Sequence, residues 1–336
     1  MKTALITGIS GQDGSYLAEY LLGLGYRVYG LVRRDPETMQ WLRPVQNQIE
    51  LVYGDLRDAT SLTVALQKAW PDELYNLAAQ VFVPASWQQC PETFDINTGG
   101  FARILQVVER QKPDTRIYQA SSSEMFGNAD GALNETTPLN PTSPYGISKL
   151  AAHRLVAAYR SRGIYATSGI LFNHESPRRG PEMVTRKISR AVAAWAKGDT
   201  QKLKLGNLQA KRDWGFAGDY VKAMHAMLQQ PAPKDYVIGT GKPHSVAEFL
   251  AQALVEIHKF SNTEEAMESI SRYVEVDPQL LRTGEIHSQR ADAGLAAREL
   301  NWRPEVDFTE LVKMMVEADK AALAVPVLHQ TSQKHA

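Results

Sequence analysis

Short apolar runs alternate with longer helical stretches through the first half of the chain. Ala4-Leu5-Ile6 reads as a buried strand, followed after a glycine-rich turn by a helical run from Tyr16 to Leu24. Arg27 to Val32, Leu51-Val52-Tyr53, Leu74-Tyr75-Asn76-Leu77 and Arg116 to Ala120 are the next strands, with a long helix predicted from Pro91 to Arg110. Apolar runs this short, bounded by turn residues, suit strands buried on both faces, and helices between them imply parallel crossovers. A helix from Tyr145 to Arg162 and a strand from Ala166 to Phe172 continue the rhythm. Beyond it the elements become shorter and less regular until a closing amphipathic helix, Phe308 to Ala321, with Leu311, Met314, Met315 and Ala318 on one face. The pattern predicts an α/β fold. A Rossmann-type doubly wound parallel sheet over residues 1–172 carries a smaller C-terminal substrate-binding α/β lobe, mainly 173–330, and residues 214–242 return to the first domain.

Composition narrows the partners. The 336 residues carry 37 basic and 37 acidic side chains, so net charge argues for neither nucleic acid nor a membrane surface. No apolar run reaches transmembrane length, and Met1 to Thr7 is too short and too soon interrupted for a signal peptide. Cys90 is the single cysteine, which excludes intrachain disulfides and fits a reducing, cytoplasmic setting. No His/Cys/Asp/Glu grouping has metal-ligand spacing.

Candidate chemistry begins at the first turn. Gly8-Ile9-Ser10-Gly11-Gln12-Asp13-Gly14 lies between a strand and a helix, where glycines let the backbone approach a pyrophosphate held on the helix N-terminus. At the end of the second strand, where an NAD-binding chain carries an acid, stand Arg33 and Arg34. Two guanidinium groups suit a 2′-phosphate and favour NADP, unless they are merely solvated. Asp55, followed by Leu56, either accepts from an adenine amino group or caps a helix. Leu77-Ala78-Ala79-Gln80 offers small residues where a ribose passes close to the backbone.

The fifth strand delivers Ser122 and Glu124 to its C-terminal end, where open α/β sheets bind ligands. Tyr145 and Lys149, four apart, share one helix face. An ammonium near a phenol favours the phenolate, so Tyr145 is expected to titrate below its ordinary range and to take a proton from a sugar hydroxyl. The same spacing also occurs as a plain surface pair; the surrounding signals favour catalysis. Glu124 supplies a second acid/base group that a simple alcohol oxidation does not need.

These blocks resemble the extended short-chain dehydrogenase/reductase group and, within it, the GDP-mannose 4,6-dehydratase family. The likeness runs through Gly8–Gly14, Asn76–Gln80, Gln119–Ser121, Ser143–Gly146, Gly169–Pro177, Lys211–Val221 and Asn301–Pro304. It implies a lyase that uses NADP without consuming it, turning GDP-mannose into GDP-4-keto-6-deoxymannose and water. Tyr145, Lys149 and Ser122 would serve the oxidation, and Glu124 the elimination. His174 and Arg179 would contact the cofactor. Ser86, Asn173, Lys187, Arg212, Arg282 and Glu285 would hold the substrate, with Glu285 reading the guanine edge. It also implies a homodimer, extendable to a homotetramer. A serine at 122 departs from the family's usual threonine, keeping the hydroxyl and losing the methyl that restricts its rotamer. The rival readings are a nucleotide-sugar reductase or epimerase, a dehydratase of another nucleotide-linked hexose, or a cofactor-binding regulator that senses the NADP pool.

Overall fold

The computed structural model describes residues 1–33, 39–281 and 284–324. Seven parallel strands form the central sheet: β1 (Thr3–Thr7), β2 (Arg27–Val32), β3 (Ile49–Tyr53), β4 (Glu73–Asn76), β5 (Arg116–Ser122), β6 (Ala166–Leu171) and β7 (Tyr236–Ile238), in the order β7-β6-β5-β4-β1-β2-β3. Period-2 alternation puts one side chain in two on each face. Leu5, Leu74 and Ile117 pack on one side with Leu62, Leu66, Leu105, Val108 and Val156. Ile6, Tyr75 and Tyr118 pack on the other with Leu17, Leu21, Met224 and Met227. Burial on both faces explains why these strands read as continuous apolar runs rather than alternating ones.

The longer helices are α1 (Gln12–Gly23), α2 (Ala59–Ala69), α3 (Gly100–Gln111), α4 (Pro144–Arg160), α5 (Val184–Ala196), α6 (Ala217–Leu228), α7 (Val246–Val255) and α8 (Phe308–Ala324). Helix α1 begins at Gln12, earlier than the apolar periodicity indicated, because Gly11 takes the N-cap. Helix α6 packs against α1, and β7 pairs with β6, so 217–238 belongs with the sheet. A separate core gathers α5, α7 and α8 around Ile188, Trp214, Phe249, Leu311 and Met315.

The single helix expected over Pro91–Arg110 is instead broken. A short helix, Cys90–Phe94, leads into a five-residue π turn, Asp95–Gly99, before α3 begins. Single π turns of this kind are frequent at functional sites. Its effect here is to turn Asn97 inward.

Glu73 anchors the opposite end of the sheet. Its carboxylate accepts from Lys2 Nζ at 2.9 Å, Tyr75 Oη at 2.7 Å, Tyr26 Oη at 3.1 Å and Gln229 Nε2 at 3.0 Å. Burial alone would raise its pKa; the donors outweigh burial and the shift is downward. Its stabilisation is therefore present above the ordinary carboxylate range and lost as pH falls through the lowered folded value. Glu73→Ala strands the fully buried Tyr75 hydroxyl and is expected to cost about 3 kcal/mol in urea denaturation.

Candidate active site

A cleft of about 910 Å³ opens at the C-terminal ends of β4, β5 and β6 and runs into the smaller lobe. It brings Ser122, Glu124, Tyr145 and Lys149 together with Asp13, Leu77, His174 and Arg179. Asn173, Lys187, Arg212 and Glu285 line the same cleft from the lobe.

Tyr145 stands in the first turn of α4. Ser143 caps that helix by accepting from Gly146 N at 3.1 Å, and Pro144 occupies a position where no N–H is needed. Gly146 is required here: a Cβ would meet the Glu124 carbonyl oxygen at 2.9 Å. Helix and catalytic turn therefore sit in close contact. Lys149, one turn on, is buried, and its Nζ donates to the Ala120 carbonyl at 3.0 Å while lying 5.8 Å from the Tyr145 ring centre.

The electrostatics correct one expectation. Burial pushes the Tyr145 phenol up to about 12, with the Ser122 hydrogen bond opposing it, the Glu124 charge reinforcing it and Arg179 opposing. Burial, the largest influence, outweighs the cations around the phenol. Burial lowers Lys149 itself to about 8, with Asp13 partly offsetting. In the protein alone the phenol keeps its proton at neutral pH. Arg179, a cation that favours its ionisation, is paired with buried Glu175 at 3.0 Å. Glu175 is fixed in turn by Thr185 Oγ1 at 2.6 Å.

Asp13 and His174 face each other across the glycine turn. His174 Nε2 lies 2.8 Å from Asp13 Oδ2, and Nδ1 lies 2.8 Å from the Phe172 carbonyl. Both ring nitrogens meet acceptors, which requires two protons and hence an imidazolium. Burial would push the ring down; the Asp13 charge and hydrogen bond prevail, and its pKa is raised. The ring also stacks on Tyr220 at 4.6 Å. Gln12 closes the join, donating to Asp13 at 3.0 Å and to the His174 carbonyl at 3.1 Å, and accepting from Ser176 at 2.8 Å. Arg178 clamps α1 through Ser15 and Glu19 and lies over the Tyr16 ring at 3.9 Å.

The glycine turn has the form of a backbone cradle. Gly8 adopts φ +70°, and a Cβ there would meet Ala78 N at 2.9 Å. At Gly14 a Cβ would meet the Gly8 carbonyl at 2.3 Å. Gly11 leaves the N-terminus of α1 without a side-chain cap, and Asp13, the acid of its first turn, is neutralised by His174. That combination suits a diphosphate.

Two residues absent from the sequence reading hold the neighbouring strand ends. Thr7 Oγ1 accepts from Leu77 N and Ala78 N, each at 3.1 Å, and donates to Asn76 at 2.7 Å. Asn97 pins Gln80 from both sides, accepting from its N–H at 2.9 Å and donating to its carbonyl at 3.0 Å. The same amide donates to Ser148 on α4. Ala79 lies between these two fixed points. A threonine at a strand end and an asparagine inside an apparent helix carry no distinctive spacing, so neither was visible.

Other expected residues fall elsewhere. Ser86 is fully buried and off the cleft: its hydroxyl donates to Val83 O at 2.6 Å and accepts from Tyr145 N at 3.2 Å. It supports the start of α4 from below. Asp55 does not cap α2; Asp58 does, accepting from Thr60 N at 2.9 Å. Arg57 engages the Asp55 carboxylate through both oxygens and holds its pKa down at about 2. Leu56 packs in the core over Gly100. Arg33 is exposed at the end of β2. Arg34 and Arg282 lie outside the described residues.

Two buried carboxylates brace the segment that runs from Arg212 into α6. Asp213, beside Arg212, accepts from Thr240 N and Oγ1, Gly241 N and Ala291 N at 2.6–3.0 Å. Asp219 accepts from Glu305 N and Val306 N, and its carbonyl takes the Trp302 indole at 2.8 Å. The long Lys211–Val221 block is thus mostly scaffolding. Arg212 is oriented by bonds to the Lys211 and Ile286 carbonyls at 2.9 and 2.7 Å. Lys187 projects from the first turn of α5.

Among the described residues no cluster fits a metal ion and no helix is long and apolar enough to cross a membrane.

A family model described as GDP-mannose 4,6 dehydratase matches residues 5–315. GDP-mannose 4,6 dehydratase 2 of Arabidopsis thaliana is 46% identical over 337 residues, covering 95% of this chain and 87% of that protein. The Homo sapiens GDP-mannose 4,6 dehydratase is 44% identical over 339 residues, 95% of this chain and 91% of its own. Among solved structures, MoeE5 in complex with UDP-glucose and NAD superposes with a TM-score of 0.81 at 26% identity, covering 96% of this chain and all of that one. On the extent of the family match and the identity to curated members, the chain belongs to the GDP-mannose 4,6-dehydratase family.

Proposed function

We propose that the chain is a hydro-lyase that converts GDP-mannose to GDP-4-keto-6-deoxymannose and water, with NADP bound and returned. The observation that supports it best is the presence of a phenol and a carboxylate, Tyr145 and Glu124, in one cleft. An oxidation needs the first, and loss of water from the neighbouring carbons needs the second.

The glycine cradle, the open end of α1 and Arg33 form a set that fits a dinucleotide; Arg33, with Arg34, is the reason to choose NADP. Bound there, the nicotinamide would supply reversible hydride storage for an oxidation at C4 and a reduction at C6. The chain's own part is proton handling and positioning. Tyr145, hydrogen-bonded by Ser122, takes the 4-hydroxyl proton as the phenolate, a form that Arg179 favours and that the positive charge of a bound oxidised nicotinamide would favour further. Glu124 takes the C5 proton, made acidic by the 4-ketone, and passes it to the departing 6-hydroxyl as water; once C6 is reduced, C5 is reprotonated from solvent and Tyr145 returns its proton to solvent. Lys187, Arg212 and Arg282 offset the diphosphate charge, while Asn173 and Glu285 hold the nucleoside end. In this reading the 173–330 lobe mainly serves the sugar nucleotide, and 214–242 returns to the cofactor domain of residues 1–172. Ser86 acts only by supporting α4. The assembly is a homodimer through α3 and α4, extendable to a homotetramer, in a cytoplasmic setting; light scattering tests the assembly.

Two experiments bear on this. With NADP far below the substrate concentration, GDP-mannose is expected to convert fully, and dTDP-glucose to remain. Consumption of one NADPH per sugar would instead favour a reductase. Replacing Arg33 and Arg34 by alanine is expected to weaken NADP binding by about tenfold to a hundredfold and to leave NAD unchanged, by calorimetric titration.

A further inference from the structure

Residues 284–291 form a strap between the two halves of the cleft. On one side it is sewn to the loop that follows the catalytic turn. Thr142 Oγ1 donates to Gly284 O at 3.2 Å, Asn128 Nδ2 to Glu285 O at 3.0 Å, and His287 N to Asn128 Oδ1 at 3.0 Å. Arg290–Ala291 also pairs in parallel with Ala132–Leu133. On the other side it meets Arg212, whose guanidinium donates to Ile286 O at 2.7 Å. Gly284, Glu285 and Ile286 face the cleft.

One side chain of the strap reaches under the turn that carries Glu124. Gln289 is 2% exposed. Its Oε1 accepts from Ser123 Oγ at 2.9 Å, and its Nε2 donates to Ser123 O at 2.8 Å and Gly127 O at 3.3 Å. Ser123 and Gly127 are the two ends of the turn, which Gly127 N closes by donating to Glu124 O at 3.4 Å. A primary amide is the side chain that can accept from a hydroxyl and donate to two carbonyls at once. No charge is involved, so the clasp does not titrate.

Tyr145 does not depend on this clasp. Its backbone is held by Ser86 and its helix by Ser143 and by Asn97 through Ser148. The strap thus reaches the Tyr145 helix only through the single Thr142–Gly284 bond ahead of its cap, and it clasps the Glu124 turn through all three bonds of Gln289.

We propose that Gln289 is a positioning residue that couples occupancy of the nucleotide-facing strap to the placement of Glu124. This rests on the functional reading above. Nucleotide contacts at 284–286 stiffen the strap, and Gln289 passes that order to the Ser123–Gly127 turn, so elimination is timed to a fully seated substrate. Binding energy from the remote nucleotide is thereby used at the reacting carbons.

The test uses Gln289→Met, which keeps chain length and removes the amide, and Ser123→Ala, which removes one of the three bonds. In single turnovers with GDP-mannose and bound NADP, Gln289→Met is expected to slow product formation by about 10- to 100-fold, while C4 oxidation changes by less than about threefold. Reduced cofactor then accumulates, as it does not in the wild type. Ser123→Ala shifts the same ratio by a smaller factor. In parallel, GDP alone is expected to slow amide exchange across Ser123–Gly127 in the wild type and not in Gln289→Met. A purely structural role would lower both steps together or only the thermal midpoint, and equal protection by GDP in both proteins would likewise overturn the coupling. A wild type inert toward GDP-mannose would overturn the functional reading and this inference with it. Normal wild-type turnover with an unaltered ratio in both variants would overturn this inference alone.

Discussion

Tyr145→Phe is expected to lower GDP-mannose turnover by about two to four orders of magnitude, because it removes the group that accepts the 4-hydroxyl proton. The ring is buried among fixed neighbours, and its hydroxyl meets the Ser122 side chain, so losing one oxygen should leave the fold intact. Rapid mixing should show no reduced cofactor forming. The pH profile carries a sign. The free protein holds the phenol up near 12 and Lys149 near 8, both chiefly through burial. The ammonium is present below pH of about 8 and is lost above it. If that charge supports proton transfer, kcat/KM declines on the alkaline side, and Lys149→Met removes the decline along with most of the rate. An unchanged alkaline limb in Lys149→Met would assign that ionisation to another group.

Glu124→Gln is expected to produce a comparable loss in product, about two to four orders of magnitude, with a different signature. Glutamine keeps the shape and cannot take the C5 proton. The backbone of the turn is fixed independently of the carboxylate, by Ser122 Oγ accepting from Glu124 N at 3.2 Å and by the Gln289 clasp. Oxidation at C4 should proceed and water loss should not. Reduced cofactor would then rise to about one equivalent per site and persist, and NADP affinity would match the wild type. Near-normal product formation in this variant would remove Glu124 from the elimination. The pair of variants separates the two steps: one blocks before the cofactor changes, the other after.

Much of this was readable from the chain because buried parallel strands write themselves as apolar runs. The glycine turn, the serine–glutamate stretch and the Tyr145–Lys149 pair then fall at strand ends, where the fold needs its ligands. What escaped notice depends on tertiary contact. Asn97 was hidden because a π turn keeps helical periodicity on both sides of the inserted residue. Thr7 and Gln289 act through single hydrogen-bonding groups that only the folded chain brings to their targets. The electrostatic expectation for Tyr145 failed for a related reason. Four-residue spacing puts Lys149 on the same face, but burial of both groups and the Ala120 carbonyl decide where the charge goes. Asp55 and Ser86 show the converse, since each looked available in the sequence and each is engaged by a neighbour, Arg57 or the Tyr145 amide.

The measurement closest to the centre of this account is NMR of the sugar formed from GDP-mannose in deuterium oxide with a trace of NADP. The account predicts a 4-keto-6-deoxyhexose that carries solvent deuterium at C5, while the hydrogen originally on C4 appears at C6. A product that retains its 6-hydroxyl, or a 6-deoxy sugar with no deuterium at C5, would contradict it.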